Sequence, residues 1–252
     1  IIVVIGPDMD ELAETVKPHE TAIQKDRLGT ADAVRAAMPL LEGFEGKVMI
    51  LMGDEPLVPL EALKEFASYS APLAIMGVEP IDPFGLGRLI THDDGHLVRM
   101  VEEKDATSEE KKLTLSNGGN YCADSALLEA CLPKIGNDNA QGEYYLTDIV
   151  DIAHREGVTC EVMNIVVDHI WGINTRAQLA EHEKILQYKL RDRAMQNGAT
   201  LINPDTVHFS WDTQLGRDVL IEPNVFFGKG VFIADNVTIH AFSHLEGVRV
   251  ES

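Results

Sequence analysis

The sequence predicts an α/β domain on a doubly wound, mostly parallel sheet, followed by the first coils of a parallel β-helix. Three observations carry this prediction. Up to about residue 200, short apolar runs alternate with helical patterns, the arrangement of strand–helix–strand units. From Leu215 on, large apolar residues recur at every sixth position, at Leu215, Ile221, Phe227, Ile233, Ile239 and Leu245. Val219, Val225, Val231 and Val237 follow at the same period. A hexapeptide repeat suits a triangular prism in which each hexad forms one flat side, whereas ordinary amphipathic strands repeat every second residue. The third observation is the stretch "VMILMGDEPL" (48–57), an apolar run ending on Gly53, Asp54, Glu55 and Pro56. A run without polar alternation suits a strand covered on both faces. Ligands of open α/β sheets gather just beyond the carboxyl ends of such strands.

In chain order, Ile1–Ile5 reads as a strand and Met9–Val16 as a helix. Thr30–Leu41 ("TADAVRAAMPLL") has helical spacing, with Thr30 as its N-cap. Val48–Met52 is a strand, Leu60–Tyr69 a helix and Leu73–Val78 a strand; Gly87–Thr91 and Leu97–Glu102 are shorter strands around the turn "HDDGH". Residues 116–120 ("SNGGN") read as a turn. Helices at Ser125–Lys134 and Tyr145–Glu156 bracket "IGNDNAQGEYY", the stretch "VTCEVMNIV" (158–166) is a strand, and Asn174–Asn197 is a long charged helix. The domains expected are therefore residues 1–200, including the linking helix 174–197, and residues 201–252, the β-helix.

The chain carries 41 acidic against 21 basic side chains, a net charge of −20. That balance argues against nucleic acid or an anionic membrane as a partner. No stretch has the length and apolarity of a membrane span. Cys122, Cys131 and Cys160 have no CxxC spacing and are expected as buried, reduced thiols of a cytoplasmic protein.

Several motifs follow one another in order: "QKDRLGTADAV", "MGDEPL", "FGLGR", "VEEKDAT", "NDNAQGEYYLTD" and "GIN". Together with the hexads they resemble the bacterial sugar-nucleotide pyrophosphorylases. More narrowly, they resemble the family of bifunctional N-acetylglucosamine-1-phosphate uridyltransferases/glucosamine-1-phosphate N-acetyltransferases of cell-wall precursor synthesis. The resemblance implies a nucleotidyltransferase-type (Rossmann-like) domain and a left-handed β-helix. In that family the opening strand, with its glycine-rich phosphate loop, stands before the point where this chain starts. The acetyltransferase coils lie beyond its last hexad, so a chain truncated at both ends is expected. Met52, Leu86 and Gly118 depart from the family's usual residues.

The resemblance implies that Gln24, Gly29, Thr30 and Gly53 bind the nucleotide, with Gln24, Gly29 and Thr30 reading uracil. A side-chain amide offers donor and acceptor to a pyrimidine edge, and a glycine admits close approach. It implies Gly87, Glu102, Asn117, Tyr145 and Thr147 for the sugar phosphate. It pairs Asp54 with Asn174 as the catalytic residues around one Mg²⁺, a hard cation suited to oxygen ligands and phosphates. Read alone, Asn174 is also a helix N-cap and Asp54 a cap or ligand. The substrates implied are UTP and N-acetylglucosamine 1-phosphate, the product UDP-N-acetylglucosamine, with acetyl-CoA used only by the full-length protein. A homotrimer through the β-helix is expected, its contact resting on an exposed edge of Val225, Val231 and Val237. The alternatives are a pyrophosphorylase for another sugar 1-phosphate, or a non-catalytic assembly subunit of the same fold.

Overall fold

The computed structural model describes residues 1–93, 95–165 and 172–251. Asp94 of the "HDDGH" turn and Val166 of the "VTCEVMNIV" strand lie outside the described residues. The chain divides into two compact units, Ile1–Gly172 and Ile173–Ser252.

In the first unit, β1 (Ile2–Ile5) leads through α1 (Asp10–Thr15) to β2 (Glu20–Ile23), which pairs with it in parallel. Then come α2 (Thr30–Ala37), β3 (Lys47–Ile50), α3 (Leu60–Ala67), β4 (Leu73–Val78), β5 (Arg88–Thr91), β6 (Leu97–Val101), β7 (Ser116–Asp124), α4 (Ser125–Cys131), α5 (Asp148–Arg155) and β8 (Cys160–Ile165). The larger sheet runs β6-β5-β7-β4-β8, with β3 also on β7. Parallel pairing, as expected, joins β4 to β8. The rest of the sheet departs from the mostly parallel arrangement expected, because β7 runs antiparallel to β3, β4 and β5, and β5 antiparallel to β6.

The "SNGGN" segment is no turn; it opens β7, the strand lying between β3 and β4. Glycine and asparagine disfavour strands locally, yet pairing on both sides overrides that weak preference. β3 is covered on both faces, as expected, with Val48 and Ile50 packed against one core and Met49 against another, and β4 lies between the same two cores. Leu73 and Ile75 enter one core with Ala31, Leu128 and Ile149, while Ala74 and Met76 enter another with Phe66 and Met163. All four residues of β3 are half-buried. The three cysteines are buried and free, as expected, and burial pushes the Cys160 thiol up to about 12.

The second unit opens with α6 (Arg176–Gln196), whose N-cap is Thr175. Thr175 Oγ1 accepts the Gln178 N–H at 3.2 Å, and Gln178 Oε1 accepts the Thr175 N–H at 2.8 Å, a reciprocal capping box. Capping therefore falls to Thr175, not to Asn174. Likewise α2 is capped at Gly29, and Thr30 is its first residue. Nine short strands follow: β9 (Thr200–Leu201), β10 (Val207–His208), β11 (Gln214–Leu215), β12 (Leu220–Ile221), β13 (Val225–Phe227), β14 (Phe232–Ile233), β15 (Thr238–Ile239), β16 (His244–Leu245) and β17 (Arg249–Val250). They stack in parallel as three three-stranded sheets, β10-β13-β16, β11-β14-β17 and β15-β12-β9. Val207 pairs with Val225, Leu215 with Ile233 and Ile221 with Ile239, each pair three hexads apart. Every sixth residue at the corners, Asp218, Asn224, Gly230, Asn236 and Phe242, has a positive φ between 57° and 70°; the first four are types that tolerate that conformation. Val225 and Val231 are 1 % exposed and Val237 8 %. They line the interior of the coil, which corrects the expectation of an exposed valine edge.

Candidate active site

Gln24 follows β2, and its side-chain amide ties down the next loop: Nε2 donates to Gly29 O and to Asp32 Oδ2, both at 2.9 Å. Gly29 has φ 112°, and a Cβ there would stand 2.6 Å from the Tyr144 carbonyl oxygen. Only glycine fits this close approach without strain. The loop is then stitched to residues 144–146. Tyr144 N–H donates to Leu28 O at 2.7 Å, Ala31 N–H to Tyr144 O at 2.9 Å, and Leu146 N–H to Thr30 Oγ1 at 2.9 Å. Two motifs more than a hundred residues apart thus form one local structure.

The same strip continues into the second group of residues. Thr147 is buried at the start of α5, and its hydroxyl acts on Glu102. Burial pushes the Glu102 carboxyl up, with Asp105 and Asp148 adding to the shift while Thr147 and Lys104 oppose it. A Cβ on Gly87 would stand 3.5 Å from Glu102 Oε2, and Gly87 O accepts the Asn117 N–H at 2.8 Å. Tyr145 is half-buried, its hydroxyl donating to Gln141 Oε1 at 2.8 Å. Burial, then Asp105 and Glu102, raise its phenol. Buried Arg88 staples the neighbouring loop, donating to Leu113 O, Leu86 O and Glu103 Oε2.

Beyond β3, Asp54 is exposed and Glu55 half-buried. Sequence reasoning missed the residue that holds this loop, Asn120, which is 0 % exposed. Its Oδ1 accepts the Met52 N–H at 3.2 Å, and its Nδ2 donates to Glu55 Oε2 at 2.7 Å and to Gly118 O at 2.9 Å. Burial, with Asp54 adjoining, moves the Glu55 carboxyl up to about 7, although the Asn120 bond opposes the shift. Gly119, at φ 77°, lets β7 pass close by, since a Cβ there would meet Glu55 Oε1 at 2.7 Å. Gly53 has no atom within 4 Å of a would-be Cβ. Consecutive carboxylates at 54 and 55 were the one sequence signal for this arrangement; nothing local pointed to Asn120.

The structure therefore brings together Gln24, Gly29 and Thr30 with residues 144–146, and Gly87, Glu102, Asn117 and Thr147 with one another. Asp54 sits on the loop that Asn120 anchors, in the first unit, and Asn174 belongs to the second. Among the described residues no group of three or more His, Cys, Asp or Glu side chains forms a metal cluster. A single carboxylate with phosphate oxygens and water is nonetheless a donor set that suits Mg²⁺.

This fold, an α/β unit followed by hexapeptide coils, is of the sugar-nucleotide nucleotidyltransferase type, and the comparisons agree. No family model matches the chain. It is 47% identical over 258 residues to the bifunctional protein GlmU of Azorhizobium caulinodans, covering 100% of this chain and 57% of that protein. It is 44% identical to GlmU of Paramagnetospirillum magneticum over 257 residues, again covering 100% of this chain and 57% of the relative. The resemblance read from the motifs thus extends along the whole chain, which spans about 57% of the length of these curated relatives. A solved structure described as a glucose-1-phosphate thymidylyltransferase of Bacillus anthracis, in complex with a sucrose, shares the fold. Its TM-score is 0.56 at 17% identity, over 73% of this chain and 75% of that one.

Proposed function

We propose that the chain carries the base, sugar and metal-loop elements of a uridylyltransferase that converts UTP and N-acetylglucosamine 1-phosphate into UDP-N-acetylglucosamine and pyrophosphate. The observation that supports this most is the continuous strip from Gln24 and Gly29 through Thr30, Leu146 and Thr147 to Glu102, Gly87 and Asn117. It sets Gln24, whose Nε2 is held by Gly29 O and Asp32 Oδ2 so that Oε1 is left as the acceptor for the base, beside a run of neutral and acidic hydrogen-bonding groups. That is the order a pyrimidine joined to a neutral aminosugar needs.

The phosphate oxygen of the sugar 1-phosphate attacks the α-phosphorus of UTP in line. A new O–P bond forms as the bond to pyrophosphate breaks. No general base is needed, because the attacking oxygen is already ionised near neutral pH, so catalysis is positioning and charge neutralisation. Gln24 and the Gly29 backbone orient the base, and Glu102, Asn117 and Thr147 orient the sugar. Asp54 would hold Mg²⁺, with Asn174 as the second protein ligand implied by the resemblance. When bound, the ion offsets phosphate charge. In the complete protein the β-helix would acetylate glucosamine 1-phosphate with acetyl-CoA, assemble as a homotrimer and work in the cytoplasm on cell-wall precursors. Among the described residues no helix is long and apolar enough to cross a membrane.

The test is uridylyl transfer by the chain extended upstream through the family's phosphate loop, with Mg²⁺. UDP-N-acetylglucosamine should form, and Asp54→Ala should lower kcat at least a hundredfold while the circular dichroism spectrum is unchanged. Equal turnover of glucose 1-phosphate would replace the sugar assignment, and an Asp54→Ala variant of full activity would overturn the metal assignment.

A further inference from the structure

Tyr121 lies on β7 four residues after Asn117 and is 3 % exposed. Asn117 Nδ2 donates to the Tyr121 hydroxyl at 3.1 Å, and that hydroxyl donates to Met100 Sδ at 3.8 Å. On the other side of the amide, Asn117 Oδ1 accepts the Gly119 N–H at 2.9 Å. Burial raises the Tyr121 phenol, and the Glu102, Asp148 and Glu55 carboxylates add to the shift, so it stays protonated through the neutral range.

A side-chain amide has two N–H donors and an oxygen with two lone pairs. One of each is committed here, so the orientation of Asn117 is set. Flipping the amide would turn its NH₂ group against the Gly119 N–H, donor facing donor. One N–H and one lone pair remain, on a side chain that is only half-buried. That remaining pair matches a ligand group able both to accept and to donate, such as a sugar hydroxyl or an acetamido group.

We propose that Tyr121 is a positioning residue for sugar recognition, acting through Asn117 rather than by touching the ligand. The proposal rests on the reading of Asn117 as a sugar contact, and its test separates the two. Isothermal titration of the chain with UDP-N-acetylglucosamine and with UDP compares the wild type, Tyr121→Phe, Asn117→Ala and the double variant. Tyr121→Phe keeps the ring and its packing and removes only the hydroxyl, so the fold is retained, as near-ultraviolet circular dichroism will check. Its affinity for UDP-N-acetylglucosamine should fall about fivefold, the scale of one hydrogen bond to a well-oriented partner, with UDP binding unchanged. Added to Asn117→Ala, the same change should cost nothing further, because the two act as one unit. A wild type that binds UDP-N-acetylglucosamine no better than UDP overturns the assignment of Asn117. A wild type that prefers the sugar nucleotide, with Tyr121→Phe equal to it or additive with Asn117→Ala, leaves that assignment standing and overturns the role of Tyr121.

Discussion

At Glu102, burial works against the charge while Thr147 and Lys104 work for it, and burial wins. A carboxyl raised in the folded state binds its proton more tightly than in the unfolded chain. Stability is therefore greatest below the ordinary carboxylate range and is lost as pH rises through the raised value. Glu102→Gln removes that dependence. Without ligand, its Tm should exceed the wild type's at pH 8, by about 2–4 °C for a 1 kcal/mol effect at this chain length, and the gap should close towards pH 4. Thermal denaturation across that range is the check; a gap independent of pH would assign the effect to packing. The same conflict between burial and polarity explains which residues were legible. Asn117 was named through the family resemblance, whereas nothing singled out Asn120 or Tyr121. Their importance comes from partners at Met52, Glu55 and Met100, not from neighbours in sequence.

Among the elements, the start of α2 depends on one backbone conformation. Gly29→Ala would place a methyl 2.6 Å from Tyr144 O at φ 112°. The loop would have to move, at a cost of about 1–3 kcal/mol, loosening the bonds to Tyr144 and Leu146. Urea denaturation should show that loss, and UDP should bind more weakly; unchanged UDP affinity would detach this loop from the nucleotide. Local pattern predicted β4 over its full extent and most helices to within a few residues. It failed at β7, because "SNGGNYCAD" owes its extended form to the strands on either side.

For the molecule as a whole, the hexads had the firmest outcome, because each pairs with the hexad one full coil later. With Val225, Val231 and Val237 turned inward, the proposed trimer must use outward groups instead. On the sheet containing β10, β13 and β16, His208 stacks on Phe226 at 4.5 Å between ring centroids, His244 lies tilted against the same ring at 4.8 Å, and Phe226 is 40 % exposed. Sedimentation equilibrium should show a trimer at high concentration that dissociates on dilution, given how few coils contribute area. A dilution-independent monomer would overturn the trimer, as would a dimer through the α/β unit.

The sequence by itself determined what repeats or alternates at short range. The hexapeptide coils and the strand–helix order follow from residue type at fixed spacing. Only the tertiary structure decided that β7 runs antiparallel between β3 and β4, so that Asn120 grips the Asp54 loop and Tyr121 holds Asn117. The reason is physical. Periodicity is written by neighbours a few positions apart. Strand register joins residues far apart in sequence, such as Ile50 with Tyr121 and Ala74 with Cys122, and Asn120 reaches Glu55 across 65 positions. No local pattern encodes which of two polar residues on a pleated strand will be buried.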